Sequence, residues 1–196
     1  MIVFKTTDGG TAELSSGALR ALGSRFRGVL IGAEDQGYDD ARRVWNGLID
    51  KRPALVARCS GVADVVEAVR LAREHHLLLA VRGGGHNVTG SAMCDGGLVI
   101  DLSAMHSTGV DLSKRTVHVD GGATLADIDS ETQRFGLATT TGNVSKTGIA
   151  GLTLGGGFGN LRRKFGLGVD NLVSAEVVTA NGAVVRADGS TNAAQS

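Results

Sequence analysis

His86 is the residue of this sequence whose type and setting best suit a chemical role. It directly follows three consecutive glycines, Gly83, Gly84 and Gly85. Because glycine tolerates positive φ and carries no Cβ, successive backbone N–H groups in such a turn can point at one anion and form a nest for a pyrophosphate. A histidine beside such a nest is a candidate functional residue. Two structural alternatives stay open: an ordinary tight turn for the glycines, and a loop or core histidine with no further role.

A second glycine cluster lies later in the chain, where Gly148-Ile-Ala-Gly151 is followed by Gly155-Gly-Gly-Phe-Gly159. An ordinary hairpin does not need so many glycines, so we expect the backbone to approach a ligand closely here. Neither cluster fits a familiar nucleotide motif. The sequence has no P-loop pattern. The dinucleotide fingerprint Gly-x-Gly-x-x-Gly ends in Arg162 at one cluster and in Val88 at the other, which disfavours an NAD-dependent Rossmann enzyme.

Other reactive side chains form no recognisable catalytic or metal pattern. The remaining histidines, such as His106 and His118, have no second ligand at metal spacing. A nucleophile elbow of the Gly-x-Ser-x-Gly type is absent. Cys59 and Cys94 are predicted to be free thiols, and Cys94 a small packed residue, because no basic neighbour would lower its pKa.

The composition excludes several classes of partner. The 196 residues carry a formal net charge of zero, which gives no electrostatic surface for nucleic acid or for an anionic membrane. No apolar run approaches the length of a transmembrane helix, and the N-terminus lacks the pattern of a secretory signal. These observations predict a cytoplasmic protein without a membrane or nucleic-acid partner.

The elements that must position these residues are predicted from hydrophobic periodicity. Residues 54–58 and 77–81 form buried strands on either side of a helix over 62–75 capped by Ser60, which predicts a βαβ unit with parallel strands. The second strand runs directly into the glycines before His86. The other predicted elements are a helix over 12–25, strands over 97–102 and 116–120, a helix over 124–135 capped by Thr124, and a hairpin of 172–180 and 184–186 turning at Asn181-Gly182. The segments predicted to be irregular are 1–10, 32–40 and 188–196, the last of them disordered.

Taken together, the two glycine clusters resemble those of the berberine-bridge-enzyme-like oxidases, which belong to the vanillyl-alcohol-oxidase type of FAD-binding proteins. The resemblance is carried by Val81-Arg-Gly-Gly-Gly-His-Asn-Val-Thr-Gly-Ser91 and most strongly by Val144-Ser-Lys-Thr-Gly-Ile-Ala-Gly-Leu-Thr-Leu-Gly-Gly-Gly-Phe-Gly159. It implies an α+β fold, namely a PCMH-type FAD-binding domain over residues 38–188 made of two α/β lobes, about 38–105 and 106–188. An N-terminal extension over 1–37 would precede it, and the family's C-terminal substrate lobe would be absent.

The resemblance also implies a set of FAD-binding residues. Backbone groups from Arg82 through the three glycines to His86 would hold the pyrophosphate, and a ring nitrogen of His86 would bond to the 8α methyl carbon of the flavin. Along the isoalloxazine, ribityl and phosphate parts we expect Val144, Gly148, Gly151, Gly156 and Gly159. Asn87 and Ala92 would follow the loop against the cofactor, and Val178 would meet the adenine edge.

Two departures from the family pattern bear on the expected function. Many relatives carry a cysteine that bonds to the flavin a second time, and Val144 stands at that position here, so His86 is expected to be the sole covalent attachment point. We also expect no counterpart of the substrate lobe or of the family's catalytic tyrosine. The only tyrosine, Tyr38, does not match that role.

The function implied by the resemblance is the FAD-binding portion of a flavin-dependent oxidase, in which the substrate passes a hydride to the flavin and oxygen re-oxidises it. We assign no catalytic acid or base and no metal ligand. The small-molecule substrate is left open, and a partner chain or a C-terminal lobe is expected to complete the site. The alternative is a non-catalytic flavin-binding or interaction module.

Overall fold

The computed structural model describes residues 1–189, so the predicted disordered tail falls largely on residues 190–196, outside the described part. The strands along the described part are β1 (Ile2–Lys5), β2 (Thr11–Leu14), β3 (Val29–Gly32), β4 (Leu55–Arg58), β5 (Leu79–Arg82), β6 (Leu98–Asp101), β7 (Thr108–Asp111), β8 (Thr116–Val119), β9 (Ser174–Val178) and β10 (Val184–Asp188). The helices are α1 (Ser16–Gly23), α2 (Tyr38–Arg42), α3 (Val62–Glu74), α4 (Leu125–Gln133), α5 (Ile149–Leu154) and α6 (Arg162–Phe165), with a 3₁₀ turn at Val169–Asn171.

A four-stranded sheet in the order β3-β4-β6-β5 organises the first half of the chain. β4, β6 and β5 are parallel, and β3 pairs antiparallel with β4. The predicted strand, helix and strand of the βαβ unit are confirmed, with β6 inserted between the two strands. One face of the sheet packs on the apolar side of α3, and the other face packs on α2 and on the segment after His86. Because both faces of the central strands β4 and β6 are buried, these strands are apolar at nearly every position.

The start of α3 differs from the prediction. Gly61, not Ser60, is the capping position, and the Ser60 hydroxyl instead donates to the Asp64 carboxylate. Asp64 is buried and also accepts from the backbone N–H groups of Arg27, Gly28 and Ser60 at 2.8, 3.0 and 2.8 Å. Burial alone would raise the pKa of Asp64, but these donors together hold it below its usual value. The Asp64 carboxylate therefore links the residues just before β3 to the first turn of α3 by hydrogen bonds.

The N-terminal residues are more ordered than predicted. The segment expected to be loose forms a hairpin, in which β1 pairs antiparallel with β2. β2 takes the first residues of the predicted helix, and α1 begins only after Ser15, whose side chain accepts from the Ala18 N–H. Phe4 and Leu14 are buried in the core beneath the sheet, which explains why the hairpin is held. α2 begins at Tyr38, within the last three residues of the region 32–40 predicted to be a loop.

The second half consists of smaller units around the second glycine cluster. β7 and β8 form one antiparallel hairpin, and β9 and β10 form another. The turn predicted at Asn181-Gly182 is confirmed, with Gly182 at φ +77°. The Thr124 cap of α4 is also confirmed, as a capping box with Asp127. The domain boundaries near residues 38, 105 and 188 remain predictions. Within residues 1–189, no helix is long and apolar enough to cross a bilayer.

Candidate functional site

The two glycine clusters meet backbone to backbone. A Cβ on Gly84 would lie 2.2 Å from the Gly148 nitrogen, and a Cβ on Gly148 would lie 2.4 Å from the Gly84 nitrogen. Both distances are far below van der Waals contact, so neither residue can carry a side chain without moving the other loop. Two hydrogen bonds connect the loop that carries Gly148 to the start of α4. The Leu125 N–H donates to the Thr147 carbonyl, and the Ile149 N–H donates to the Ala123 carbonyl.

The loop from Gly83 to Asn87 presents a run of unused backbone donors. None of its amide N–H groups donates a hydrogen bond to any atom of residues 1–189. Gly85 has φ +68°, the left-handed geometry that lets neighbouring amides converge. Unpaired amides at partly buried positions are uncommon and require a partner such as water or an anion. This loop therefore has the donor arrangement of an anion nest.

A cluster of charged side chains around the buried Asp101 lies at the strand ends next to this loop. Arg58, Asp101 and Arg82 occupy one row across β4, β6 and β5. The fully buried Asp101 carboxylate lies 2.9 Å from Arg58 Nε and 3.8 Å from an Arg82 nitrogen. Arg82 also donates to the Ala41 carbonyl at 2.7 Å, while its buried Nε has no partner within residues 1–189. With two guanidinium groups and one carboxylate, the cluster has a net positive charge next to the nest, which favours an anionic ligand.

One face and one edge of the His86 imidazole contact side chains from other segments of the chain. It stacks on the Trp45 indole, with ring centroids 5.5 Å apart and an interplanar angle of 21°. Its Nδ1 lies 3.5 Å from the Thr147 hydroxyl, which belongs to the second glycine loop. The remaining ring nitrogen, Nε2, has no hydrogen-bond partner in the described part of the chain. The imidazole is therefore oriented by two segments outside its own loop, those of Trp45 and Thr147, and is half-buried.

Residues 53–188 match the family model of the FAD binding domain, which is more than half of the chain. The chain belongs to this family of FAD-binding domains.

Relatives of this FAD-binding domain are flavin oxidoreductases. The chain is 42% identical over 160 residues to (R)-6-hydroxynicotine oxidase of Paenarthrobacter nicotinovorans, covering 82% of this chain and 35% of that protein. It is 39% identical over 168 residues to an FAD-linked oxidoreductase of Dictyostelium discoideum, covering 85% and 37%. The chain thus spans little more than a third of the length of these curated relatives.

Solved structures confirm the predicted fold class and the resemblance. The crystal structure of 6-hydroxy-D-nicotine oxidase from Arthrobacter nicotinovorans matches with a TM-score of 0.83 and 40% identity, over 85% of this chain and 37% of that one. BBE-like 1 of Physcomitrella patens matches with a TM-score of 0.84 and 30% identity, over 89% and 38%. The mixed α/β architecture of this FAD-binding domain is therefore that of the PCMH-type proteins, and FAD is its cofactor.

Several predicted site residues of the FAD-binding domain lie together in the structure. Arg82, the glycines after it and His86 form one loop, and Gly148 touches that loop through Gly84. Val144 begins the turn that carries Thr147, and the Thr147 N–H donates to the Val144 carbonyl. Val144 is 55% exposed. In the same cluster, a Cβ on Gly159 would lie 1.6 Å from the Thr141 carbonyl oxygen, whereas a Cβ on Gly151 would meet nothing within 4 Å.

Other predicted residues have visible structural roles. The Asn87 carboxamide oxygen accepts from Ser91 and from the Thr89 hydroxyl, which closes the loop on itself. Ala92 is buried in the core on the loop side of the sheet. Val178 packs against the core on the α3 side. Gly156 lies in the turn after α5 with φ +104°. Contact of these residues with FAD remains a prediction.

Both cysteines of the FAD-binding domain are buried, free thiols, as predicted. Burial raises the pKa of Cys59 to about 12, with Asp64 and Asp101 adding to the effect. Burial likewise raises the pKa of Cys94 to about 11. Neither thiol is therefore ionised near neutral pH, and neither is suited to act as a nucleophile.

Sequence reasoning missed Trp45, Asn46 and Lys51. They lie in the irregular segment between α2 and β4, which shows no periodicity and no motif. The one available signal was that Trp45 is the only tryptophan of the chain. Its proximity to His86 results from tertiary folding, because the two residues belong to segments separated by β4, α3 and β5.

Proposed function

We propose that this FAD-binding domain carries FAD covalently through His86, as the sole attachment point, and supplies the flavin of an oxidase. The observation that carries the proposal is the loop itself, in which unpaired backbone amides are followed directly by a half-buried histidine with a free ring nitrogen. The resemblance to covalent flavoproteins over the same residues supports the attachment.

The residues present fit an FAD molecule in three ways. The amides of residues 83–87 would donate to the pyrophosphate, and the positive cluster of Arg58, Asp101 and Arg82 would favour its negative charge. The open space at Gly151 would admit a flat ring system close to the backbone. Val144, exposed in the turn beside Thr147, would lie against the isoalloxazine.

Bound flavin would supply the redox chemistry, accepting a hydride from a small-molecule substrate and passing the electrons to dioxygen. The protein residues described here would bind and orient it. Tyr38 is not available as a base, because its hydroxyl is buried and donates to the Pro53 carbonyl at 2.6 Å. Burial also raises the pKa of Tyr38. We therefore propose that the 196-residue chain alone turns over substrates slowly or not at all.

The test is acid precipitation of protein expressed with FAD, followed by absorbance of the pellet and mass spectrometry of tryptic peptides. We expect a yellow pellet and one FAD-sized adduct, on the peptide containing His86. The His86→Ala variant should give a colourless pellet, and the control His106→Ala should behave like the wild type. An adduct on Cys59 or Cys94, or an adduct that survives in His86→Ala, would refute the proposal.

A second candidate is a non-catalytic flavin-binding or interaction module. It is favoured by large apolar side chains left exposed around the second glycine cluster, namely Leu154, Phe158, Phe165 and Val173. The two candidates differ in turnover once the site is complete. Peroxide release from a panel of sugars, secondary alcohols and amines should be measured for this chain and for a version extended by a relative's C-terminal part. Turnover by the extended version supports the oxidase, and its absence in a correctly folded, flavin-loaded extended protein supports the module.

A further inference from the structure

A segment that follows α2, residues 45–52, runs along residues 85–95, which comprise the end of the His86 loop and the segment after it, and is hydrogen-bonded to them at successive points. We call this segment the strap. Its bonds to residues 85–95 are those of the Trp45 N–H to the Gly85 carbonyl (3.0 Å), the Asn46 side chain to the Val88 carbonyl (2.9 Å), the Lys51 ammonium to the Gly90 and Met93 carbonyls (2.9 and 3.0 Å) and the Arg52 N–H to Asp95 (2.8 Å).

The strap places its tryptophan flat on the His86 imidazole. Trp45 is 63% exposed, so its ring is not there to fill the core. The stack covers one face of the imidazole, and Thr147 approaches the Nδ1 edge at 3.5 Å. A face contact and an edge contact together restrict both side-chain torsions of His86. Each contact comes from a segment outside the loop, so the orientation does not depend on the loop alone.

We propose that Trp45 and Thr147 are positioning residues for flavin attachment, which hold the His86 ring in the orientation from which it bonds to FAD. This inference rests on the proposed function of His86. Attachment joins an imidazole nitrogen to the 8α carbon of FAD. One proton leaves the imidazole N–H and one leaves the 8α C–H, and the two electrons released pass to dioxygen, which takes up two protons and becomes hydrogen peroxide.

Orientation controls the rate of such a step because the reacting atoms must be held in contact at the correct angle. Misplacement by about 1 Å can slow a reaction by about 100-fold. Without Trp45 or the Thr147 hydroxyl, the ring can rotate away from the cofactor while the nest remains intact. Loss of either contact should therefore slow attachment without removing FAD binding.

The experiment follows covalent attachment in the full chain, by mixing apoprotein with FAD in air and measuring the adduct on the His86 peptide over time. The variants are Trp45→Leu and Thr147→Val, with Trp45→Phe and Thr147→Ser as conservative rescues. Phe135→Leu is a matched control, since it removes an exposed aromatic residue in the turn after α4. Equilibrium dialysis measures non-covalent FAD binding, and circular dichroism checks the fold.

A second readout needs no FAD. An aromatic ring shifts protons above its face upfield in an NMR spectrum, so the His86 ring protons of the apoprotein should be shifted upfield. This shift should be lost in Trp45→Leu and kept in Thr147→Val.

We expect Trp45→Leu and Thr147→Val to attach FAD about 10- to 100-fold more slowly, with FAD affinity changed much less, and the rescues and Phe135→Leu to resemble the wild type. Attachment at the wild-type rate in both variants would overturn the positioning role and leave the role of His86 intact. Unshifted His86 ring protons in the wild type would also overturn it, even if a variant fails to fold. Wild-type protein that binds FAD but forms no His86 adduct would refute the proposed function together with this inference.

Discussion

Gly84 and Gly148 touch through their backbones at the point where two loops from distant parts of the chain cross. A Cβ on either residue would lie within 2.4 Å of the other's nitrogen. The obstacle in both cases is backbone, which cannot rotate aside as a side chain can. The crossing brings the nest and the second glycine cluster to one place.

Gly84→Ala should therefore destabilise the domain and weaken FAD binding, because the added methyl forces the two loops apart. Overpacking of this kind typically costs about 1–3 kcal/mol. Gly148→Ala should have a similar effect. The double variant should lose less free energy of unfolding than the sum of the two single variants, because either substitution alone already separates the loops. Urea unfolding and FAD titration measure both effects. Gly109→Ala, where a Cβ meets nothing within 4 Å, is the control. A Gly84→Ala protein with wild-type stability would contradict the observed contact.

Gly151→Ala should separate folding from cofactor binding. Gly151 lies inside α5, and a Cβ there has open space. Replacing a helical glycine with alanine typically stabilises by about 0.5–1 kcal/mol. If the space is reserved for FAD, the variant should bind FAD more weakly although it is at least as stable. Gly23→Ala in α1 is the matched control, because its Cβ is also unobstructed and α1 lies outside the site. Unchanged FAD affinity in Gly151→Ala would remove this residue from the site.

Val144→Cys tests whether the turn before Gly148 brings residue 144 to the flavin. The family resemblance implies that Val144 stands at the position where many berberine-bridge-enzyme-like relatives bond to the flavin a second time, and Val144 is exposed. The new thiol should form a second bond to FAD, which would cross-link its peptide to the His86 peptide in a tryptic digest. Val3→Cys, on β1 in the N-terminal hairpin and 52% exposed against 55% for Val144, should form no such cross-link. A Val144→Cys protein with the His86 adduct alone would show that residue 144 does not reach the flavin.

Asp64→Asn should lower stability and flatten its dependence on pH in acid. The folded-state pKa of Asp64 lies below its usual value of 3.8. Its stabilising effect is therefore fully present above about pH 4 and is lost as the pH falls through the folded-state pKa. At neutral pH we expect a loss of about 2–4 kcal/mol, since the amide group turns a donor toward buried N–H groups. Urea unfolding from pH 3 to 7 tests this. Asp40→Asn is the control, because the Asp40 side chain is 79% exposed and pairs, within residues 1–189, only with the exposed Arg43 in the same helical turn. Parallel stability curves for wild type and Asp64→Asn would disprove the linkage.

Much of the local structure could be predicted because its signals are local. Short apolar runs identify β4, β5 and β6 as strands. The helical periodicity of α3 identifies the side of this helix that packs on the core. The Thr124 cap and the Asn181-Gly182 turn depend on neighbouring residues only. The hairpin of β1 and β2 escaped prediction because its strands are short and are held by burial of Phe4 and Leu14 in a core formed by distant elements.

By itself, the sequence determined the βαβ unit, the two glycine clusters and His86 as a candidate functional residue, because residue type and spacing carry that information directly. The attachment role of His86 was implied by the family resemblance of the same segment. The tertiary structure alone decided that Gly84 meets Gly148, that Arg58, Asp101 and Arg82 form one row, and that Trp45 and Thr147 hold the imidazole. The physical reason is that these contacts join segments far apart in the chain. Their geometry is set by the register of parallel strands and by the path of the strap, and neither leaves a periodic pattern in the sequence.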